Sequence, residues 1–220
     1  MDVSLADIAA WLPDLTDGLT VSLIVTAGSL LLGIPLGLLL ALGVQAQWRP
    51  LRGACLAFVE IGRGTPALVL LQFVYFGLPA VGLTMTSYAA AILALACNTG
   101  AYTSEIIRAG LQSVPHGQRE AATAIGLSRL DELRYVLLPQ GLRIAVPALL
   151  GFSILIFQGT SLCFVVALPE LLSRAYEIGS TTFEYFPALL AAACLYAVIC
   201  IPASILVGAV ERRAGHYSRR

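Results

Sequence analysis

Lysine is absent from this 220-residue chain, in which all thirteen Lys-or-Arg positions are arginine. A Walker A loop holds nucleotide phosphates with a lysine, so the chain has no such site of its own for hydrolysing ATP. Histidine is scarce as well, since His116 and His216 both lie in polar segments away from the apolar stretches. A Ser–His nucleophile or a zinc site needs histidine within reach. The scarcity of histidine therefore argues against a membrane-embedded enzyme with a Ser–His or zinc site. We predict neither a catalytic site nor a metal site in this chain.

Charge is also scarce, because only 12% of the residues are charged and 58% are hydrophobic. Soluble domains are typically about 25% charged and about 45–50% apolar. A spanning helix needs about 20 apolar residues, and the long charge-free windows supply them. The longest window is broken at Gly77-Leu78-Pro79 and so contributes to two spans. We therefore predict an all-α integral membrane protein, one domain over 1–220, with five spans at about 19–44, 54–77, 86–108, 144–168 and 187–210.

The arginines predict the orientation. If the N-terminus is outside, the inner segments are 45–53, 109–143 and 211–220, and they hold ten of the arginines. Arg174 is then alone on the outer side, facing seven acids of the N-terminal segment and of 169–186. An excess of arginine on the cytoplasmic side is typical of membrane proteins. The bias predicts an outer N-terminus and a cytoplasmic C-terminus.

Polar residues interrupt two of the predicted spans. Asn98, Tyr102 and Glu105 follow one another at helical spacing in the third span, and 158–161 interrupt an apolar run in the fourth. Polar groups at this depth are costly unless they face a partner or a wet cavity. We predict a substrate cavity, with hydrogen bonding between helices as the alternative. Its predicted residues are Asn98, Tyr102, Gln158, Gly159, Thr160 and Ser161.

Two acid–arginine pairs lie near the inner ends of spans. Glu60 and Arg63 are three residues apart, as are Glu105 and Arg108. One interpretation is that each pair neutralises its charges at the interface. The other is that the four residues form an inner gate.

Small residues mark one possible helix contact. Gly33 and Gly37 lie four apart in the first span, a spacing that lets another helix approach closely.

The inner segment 109–143 has the pattern of a folded element. Helical spacing predicts a short helix between Gly117 and Gly126, with Ala121, Ala122, Ile125 and Leu130 on an apolar face and Arg119, Arg129, Asp131, Glu132 and Arg134 on a wet one. A simple connector would not need this pattern. We therefore expect a cytoplasmic protein to dock here.

The same segment carries a resemblance to a known family. Glu120-Ala121-Ala122, then Gly126, then Leu138-Pro139 is similar to the EAA loop of permease subunits of bacterial ABC importers. Further matching blocks are Arg63-Gly64-Thr65-Pro66, Tyr75-Phe76-Gly77-Leu78-Pro79, Ala101-Tyr102 with Glu105-Ile106-Ile107-Arg108, Gly117-Gln118 and Leu138-Pro139-Gln140. Together they resemble the polar amino acid uptake branch over about residues 16–210.

The resemblance implies a coupling helix at about Gly117–Ile125, in which Gly117, Glu120, Ala121, Ala122 and Gly126 contact an ATPase. It implies two copies of a cytoplasmic ATP-binding subunit, a second permease subunit, identical or homologous, and an extracytoplasmic amino acid binding protein. ATP and magnesium would be bound by the partner, with no cofactor on this chain. The implied location is the bacterial inner membrane, in contact with lipids and without a nucleic-acid partner.

One departure from the family pattern bears on the substrate. Where the commonest family pattern has Lys-Asp-Thr-Ser-Leu, this chain has Gln158-Gly159-Thr160-Ser161-Leu162. The resemblance then favours glutamate, aspartate or a neutral polar relative, with cationic amino acids or opine-like compounds as the alternative. Half of a secondary transporter fits less well, because those folds carry internal repeats that are not seen here.

Overall fold

A computed structural model describes the backbone of residues 5–217 and the side chains of residues 7–213. Residues 5–217 form helices joined by short non-helical connections, without a strand among them, and several helices continue into π or 3₁₀ turns. The helices in chain order are α1 (Leu5–Gly43), α2 (Arg49–Gly64), α3 (Ala67–Gln72), α4 (Ser87–Gln112), α5 (His116–Ala124), α6 (Arg129–Asp131), α7 (Leu138–Gly159), α8 (Leu171–Thr182) and α9 (Tyr185–Tyr217). The π turns are Phe73–Gly77 and Glu132–Leu137, and the 3₁₀ turns are Leu78–Val81 and Thr160–Val166.

Four stretches are long and apolar enough to cross a membrane as single units. They are Asp7–Gly43, Ser87–Gln112, Arg129–Val166 and Tyr185–Arg213. A fifth crossing is possible only as a bent pair, Arg49–Gly64 with Ala67–Val81, whose two parts meet at 107°. Within residues 5–217 there are therefore four candidate spans, or five if the bent pair crosses.

The predicted second span, 54–77, is wrong as a continuous helix. Helix α2 ends at Gly64, and Thr65 adopts an extended conformation with φ −92° and ψ 129°. The residue before a proline is disfavoured in the helical region, and Pro66 has no backbone N–H to continue the ladder. The absence of charged residues after Arg63 correctly indicated an apolar environment, but it gave no information on whether the helix continues straight or bends.

The predicted spans 19–44, 86–108 and 187–210 lie within longer helices to within one residue, whereas the predicted span 144–168 runs past the end of α7 and through the 3₁₀ turn Thr160–Val166. Helix α1 begins at Leu5 rather than near residue 19, and α7 begins at Leu138 rather than at residue 144. Thirty-nine residues of helix extend about 58 Å, well beyond a hydrocarbon core of about 30 Å. A charge-free window shows only which residues lie in the hydrocarbon. The helices are longer than these windows because their backbone hydrogen bonds continue beyond the membrane interface.

Helix α4 is the centre of the fold and packs against α1, α2, α3 and α7. Alanines buried along it, among them Ala90, Ala91 and Ala94, keep its surface flat. The predicted close approach at Gly33 and Gly37 is confirmed. A Cβ on Gly37 would lie 2.1 Å from Thr103 Oγ1, so a side chain there would push α1 and α4 apart. Packing of small residues replaces the missing hydrophobic driving force between helices in lipid.

Candidate functional site

The break between α2 and α3 leaves backbone carbonyls at the end of α2 without helical partners. Two side chains of α4 supply the missing donors. The Asn98 Nδ2 group donates to the Gly62 carbonyl oxygen at 3.2 Å, and the Tyr102 hydroxyl donates to the Arg63 carbonyl oxygen at 3.2 Å. Asn98 is buried. These two bonds fasten the broken end of α2 to the central helix.

A cavity of about 420 Å³ lies beside this break. Its walls come from the α2–α3 break, from α4 and from α7. The lining residues are Arg63, Gly64, Thr65, Pro66, Ala67, Leu95, Asn98, Tyr102, Phe152, Leu155, Ile156 and Gly159. Three of the six residues predicted to line a substrate cavity, Asn98, Tyr102 and Gly159, are therefore brought together.

Aromatic rings form one side of the cavity. The rings of Tyr102 and Phe152 stack with centroids 5.5 Å apart. The Arg63 guanidinium carbon lies 6.0 Å from the Tyr102 ring centroid, at the limit of a cation–π contact. An aromatic wall and a cation thus lie next to each other at the cavity.

Gly159 leaves the cavity open at its α7 side. A Cβ added at Gly159 would meet no heavy atom within 4 Å. A small side chain could therefore start from this position without a clash at its Cβ.

Gln158, Thr160 and Ser161 do not line this cavity. The Gln158 amide nitrogen lies 3.7 Å from Cys200 Sγ on α9. The Thr160 hydroxyl donates to the Phe157 carbonyl oxygen at 2.7 Å, and the Ser161 hydroxyl donates to that of Gln158 at 2.8 Å. These hydroxyls satisfy the end of their own helix, where α7 gives way to a 3₁₀ turn.

The charged residues are paired differently from the prediction. Arg108 Nε donates to Glu105 Oε1 at 3.0 Å, as the i, i+3 spacing predicts. Arg63, however, reaches Glu105 Oε2 at 3.8 Å from another helix and does not pair with Glu60. The proposed Glu60–Arg63 pair is therefore wrong, because the side chain of Arg63 turns towards α4. One carboxylate between two guanidinium groups leaves this cluster with a net positive charge.

The short helix of the inner segment is α5, and it begins one residue before Gly117. It ends in a turn in which Gly126 has a φ of +79° and the Leu127 N–H donates to the Ala122 carbonyl oxygen at 3.0 Å. A side chain is disfavoured in this left-handed conformation. Gly126 thus terminates α5 as the sequence predicts.

The predicted faces of this segment are partly wrong. Ala122 is buried, but Ala121 is exposed, and Ile125 and Leu130 are 76% and 72% exposed. Arg119, predicted to be wet, instead donates to the Leu111 carbonyl oxygen at 3.0 Å and ties α5 to the end of α4. Ile125 and Leu130 therefore point away from the rest of the described chain, which leaves them available for a partner.

Glu120 is exposed on α5 beside Gly117. One of its carboxylate oxygens lies 3.1 Å from His116 Nδ1. Both side chains are largely exposed. Neither side chain therefore packs into the interior of the protein, and both remain accessible from outside.

Sequence reasoning missed one buried carboxylate. Glu170 was expected in the acidic outer surface, but its side chain is fully buried. It accepts hydrogen bonds from the backbone N–H groups of Leu172 at 2.8 Å and Ser173 at 2.7 Å, and from the Tyr196 hydroxyl at 3.2 Å. Burial raises the pKa of Glu170 to about 6, although these bonds act in the opposite direction. The helix-capping position before Leu171-Leu172 was the available signal.

Comparison with known proteins places this geometry in context. A family model described as "Binding-protein-dependent transport system inner membrane component" matches residues 33–216. The chain is 34% identical over 203 residues to the arginine transport system permease protein ArtQ of Bacillus subtilis (strain 168), covering 92% of this chain and 93% of that protein. It is 34% identical over 210 residues to the glutamate/aspartate import permease protein GltK of Escherichia coli O157:H7, covering 92% and 94%.

A solved structure agrees along the same length. The crystal structure of an amino acid ABC transporter with histidines matches with a TM-score of 0.91 and 33% identity, covering 97% of this chain and 100% of that chain. The relatives differ in the amino acid that their names specify, while their identities to this chain are nearly equal.

Proposed function

This chain belongs to the family of binding-protein-dependent transport system inner membrane components, as an amino-acid ABC transporter permease, and we propose that its substrate is glutamate, aspartate or a neutral polar amino acid. The charge of the cavity carries this proposal. Among the described residues that line it, Arg63 has the sole formal charge. A guanidinium group binds carboxylates through short, charge-assisted hydrogen bonds. The lining offers no acid to a cationic side chain.

Neutral groups complete the proposed site. Asn98, Tyr102 and Thr65 line the cavity next to Arg63 and provide amide and hydroxyl groups. A break in a spanning segment is a common place for a transporter's substrate, because the backbone there is freed from the helical ladder. In this proposal Gln158, Thr160 and Ser161 do not contact the substrate, because none of them lines the cavity.

The partners in this proposal follow the family. An extracytoplasmic binding protein would deliver the amino acid, and two permease subunits, identical or homologous, would enclose one pathway. Two copies of an ATP-binding subunit would hydrolyse ATP, with the N-terminus of this chain outside and α5 in the cytoplasm. The exposed Ile125 and Leu130 support docking of α5, since exposed apolar residues beside a polar rim are typical of interaction sites.

Uptake by the assembled transporter in proteoliposomes tests the substrate. Glutamate, aspartate, glutamine, arginine and histidine would compete in turn with a radiolabelled substrate. We expect Gly159→Asp to improve competition by arginine and weaken that by glutamate, each by about tenfold, because the new carboxylate would enter the cavity. Gly53→Asp is the matched control, since Gly53 also has open space around it but lies outside the cavity. Stronger competition by arginine in the unaltered transporter would overturn the acidic assignment and favour the cationic alternative.

Coupling through α5 has a separate test. Gly126→Arg should abolish transport while leaving the protein in the membrane, because an arginine strains the left-handed turn by about 1–2 kcal/mol and changes the docking surface. ATP hydrolysis and uptake would be measured together, with Gly53→Arg as the control. Normal transport by Gly126→Arg would show that this turn does not couple the subunits.

A further inference from the structure

A second cavity lies on the opposite side of α7 from the substrate cavity. It is a groove of about 390 Å³ between α1, α7 and α9. Leu23 and Leu30 of α1, Leu150 and Phe157 of α7, and Ile199 and Val210 of α9 mark its extent. All three helices belong to candidate membrane spans. The groove therefore lies where hydrocarbon, not water, is the solvent.

Among the described residues, the walls of the groove offer an occupant no free donor stronger than the thiol of Cys200. Two hydroxyls reach the lining, but both already use their protons: Thr26 donates to the Ser22 carbonyl oxygen at 2.7 Å, and Ser153 donates to that of Leu149 at 2.9 Å. A polar or charged ligand would lose its hydration here without compensation. The chemistry of the groove thus selects a hydrocarbon chain.

The length of the groove matches one leaflet. From Ile199 to Val210 it follows eleven residues of α9, or about 16 Å of helix. Half of a hydrocarbon core of about 30 Å is about 15 Å. One extended acyl chain of a phospholipid would fill the groove from its glycerol end to the bilayer centre.

Arginines stand beyond one end of the groove. A Cβ on Gly151 would lie 4.0 Å from Val207 Cγ1, and Gln158 meets Cys200, so α7 and α9 run antiparallel in a fixed register. Arg143 lies about two turns before Gly151 on α7. Because the helices are antiparallel, Arg143 is at nearly the same depth as Arg212 and Arg213 of α9, within about one helical turn.

The charge at this end is positive. Arg143 and Arg213 are exposed, and neither forms a salt bridge within residues 7–213. With Glu211, also exposed, the group of three arginines and one acid has a net charge of +2. Basic clusters between membrane helices at an interface bind anionic lipid head groups.

We propose that this groove is a binding site for an anionic phospholipid. One acyl chain lies between α1, α7 and α9, and the phosphate head group is held by Arg143, Arg212 and Arg213 at the end where α9 leaves the membrane. This site is separate from the substrate cavity, because the two use opposite faces of α7. The proposal does not depend on which amino acid is transported.

Native mass spectrometry of the assembled transporter, with dioleoyl phosphatidylglycerol or dioleoyl phosphatidylcholine added, measures the retained lipid. We expect phosphatidylglycerol to be retained in preference to phosphatidylcholine. The double variant Arg143→Gln/Arg213→Gln should lower that preference by about fivefold for each arginine removed. The matched control is Arg49→Gln/Arg52→Gln, two exposed arginines on α2, which packs mainly on α4 and α1 and should leave the preference unchanged.

A groove-filling variant tests the acyl chain. Ala203→Trp should displace both lipids, because Ala203 lines the groove, whereas Val198→Trp on the exposed face of the same helix should displace neither. Equal retention of the two lipids by the unaltered protein, or equal loss in the two arginine pairs, would overturn the proposal. Separation of the permease subunits by Ala203→Trp alone would also overturn it, by showing that a second permease fills the groove. The arginine pair lies outside the packed interior, so its result stands even if Ala203→Trp does not fold.

Discussion

The polar side chains of α4 and those at the end of α7 satisfy their hydrogen bonds in different ways. Asn98 and Tyr102 donate to carbonyl oxygens of another element, 36 and 39 residues away in the chain. The Thr160 and Ser161 hydroxyls donate to carbonyl oxygens three residues earlier, at the end of α7, and Thr160 also bonds to the Tyr196 hydroxyl of α9. In both arrangements a hydrogen bond within the protein replaces the bond to water that a polar group loses in the membrane. The bonds of Asn98 and Tyr102 fix the position of α2 relative to α4, whereas the bond of Ser161 involves no second helix.

This difference separates two kinds of intramembrane polarity. A hydroxyl that bonds to its own turn leaves the helix self-contained, so the residue can be replaced without moving a neighbour. An amide that caps a broken helix maintains the shape of the cavity beside it. The α4 cluster is therefore expected to be the sensitive one, and substitution can test this.

The largest effect is expected at Asn98. Asn98→Leu keeps the side chain at a similar size but leaves the Gly62 carbonyl oxygen without its partner, which costs about 1–3 kcal/mol. We expect uptake to fall by about tenfold or more as the end of α2 moves. Proteoliposome uptake and thermal unfolding in detergent would measure both effects. Full uptake by Asn98→Leu would show that the cavity does not need this cap.

An intermediate effect, on the pH dependence of thermal unfolding, is expected at Glu170. Like Asn98 it is buried, but its side chain can also lose a proton. Its folded pKa of about 6 lies above its ordinary value of 4.5, so its stabilising contribution is present below pH 4.5 and is lost as pH rises through 6. Glu170→Gln should remove this loss, and its unfolding midpoint should fall less than that of the unaltered protein between pH 4.5 and pH 7. Glu177→Gln, an exposed control, should keep the original dependence. Identical pH profiles for all three proteins would contradict the prediction.

The smallest effects are expected in the α7 cluster. Ser161→Ala removes a hydroxyl whose acceptor lies in its own helix, so unfolding should change by no more than about 0.5 kcal/mol. Gln158→Ala loses only a weak contact to sulfur, and uptake should stay within about twofold of the unaltered protein. The same uptake assay measures both. A loss at Gln158 as large as that at Asn98 would mean that the amide contacts the substrate during transport.

Much of this architecture can be predicted from the residues. Charge-free windows indicate the spans, Gly33 and Gly37 indicate the α1–α4 contact, and Gly126 indicates the end of α5. Each of these signals is local, because it depends on the solvent around a segment or on the backbone freedom of one residue.

The partners of polar side chains could not be predicted in the same way. Glu60 and Glu105 are each three residues from an arginine, yet Arg63 turns to Glu105 and not to Glu60. Ile125 and Leu130 fit an apolar face, yet they point away from the chain. Helical spacing shows which residues share a face, but the neighbouring helix decides whether that face is covered.

By itself the sequence determined that this chain is a membrane permease, because the number of apolar residues needed to cross a bilayer and the order of its motifs are both properties of the linear chain. The tertiary structure alone decided that the two parts of the bent pair meet at 107°, that α4 caps the broken end, and that Glu170 is buried between helices. These features depend on contacts between residues far apart in the chain. Their free energy comes from hydrogen bonds and packing that exist only once the helices have assembled.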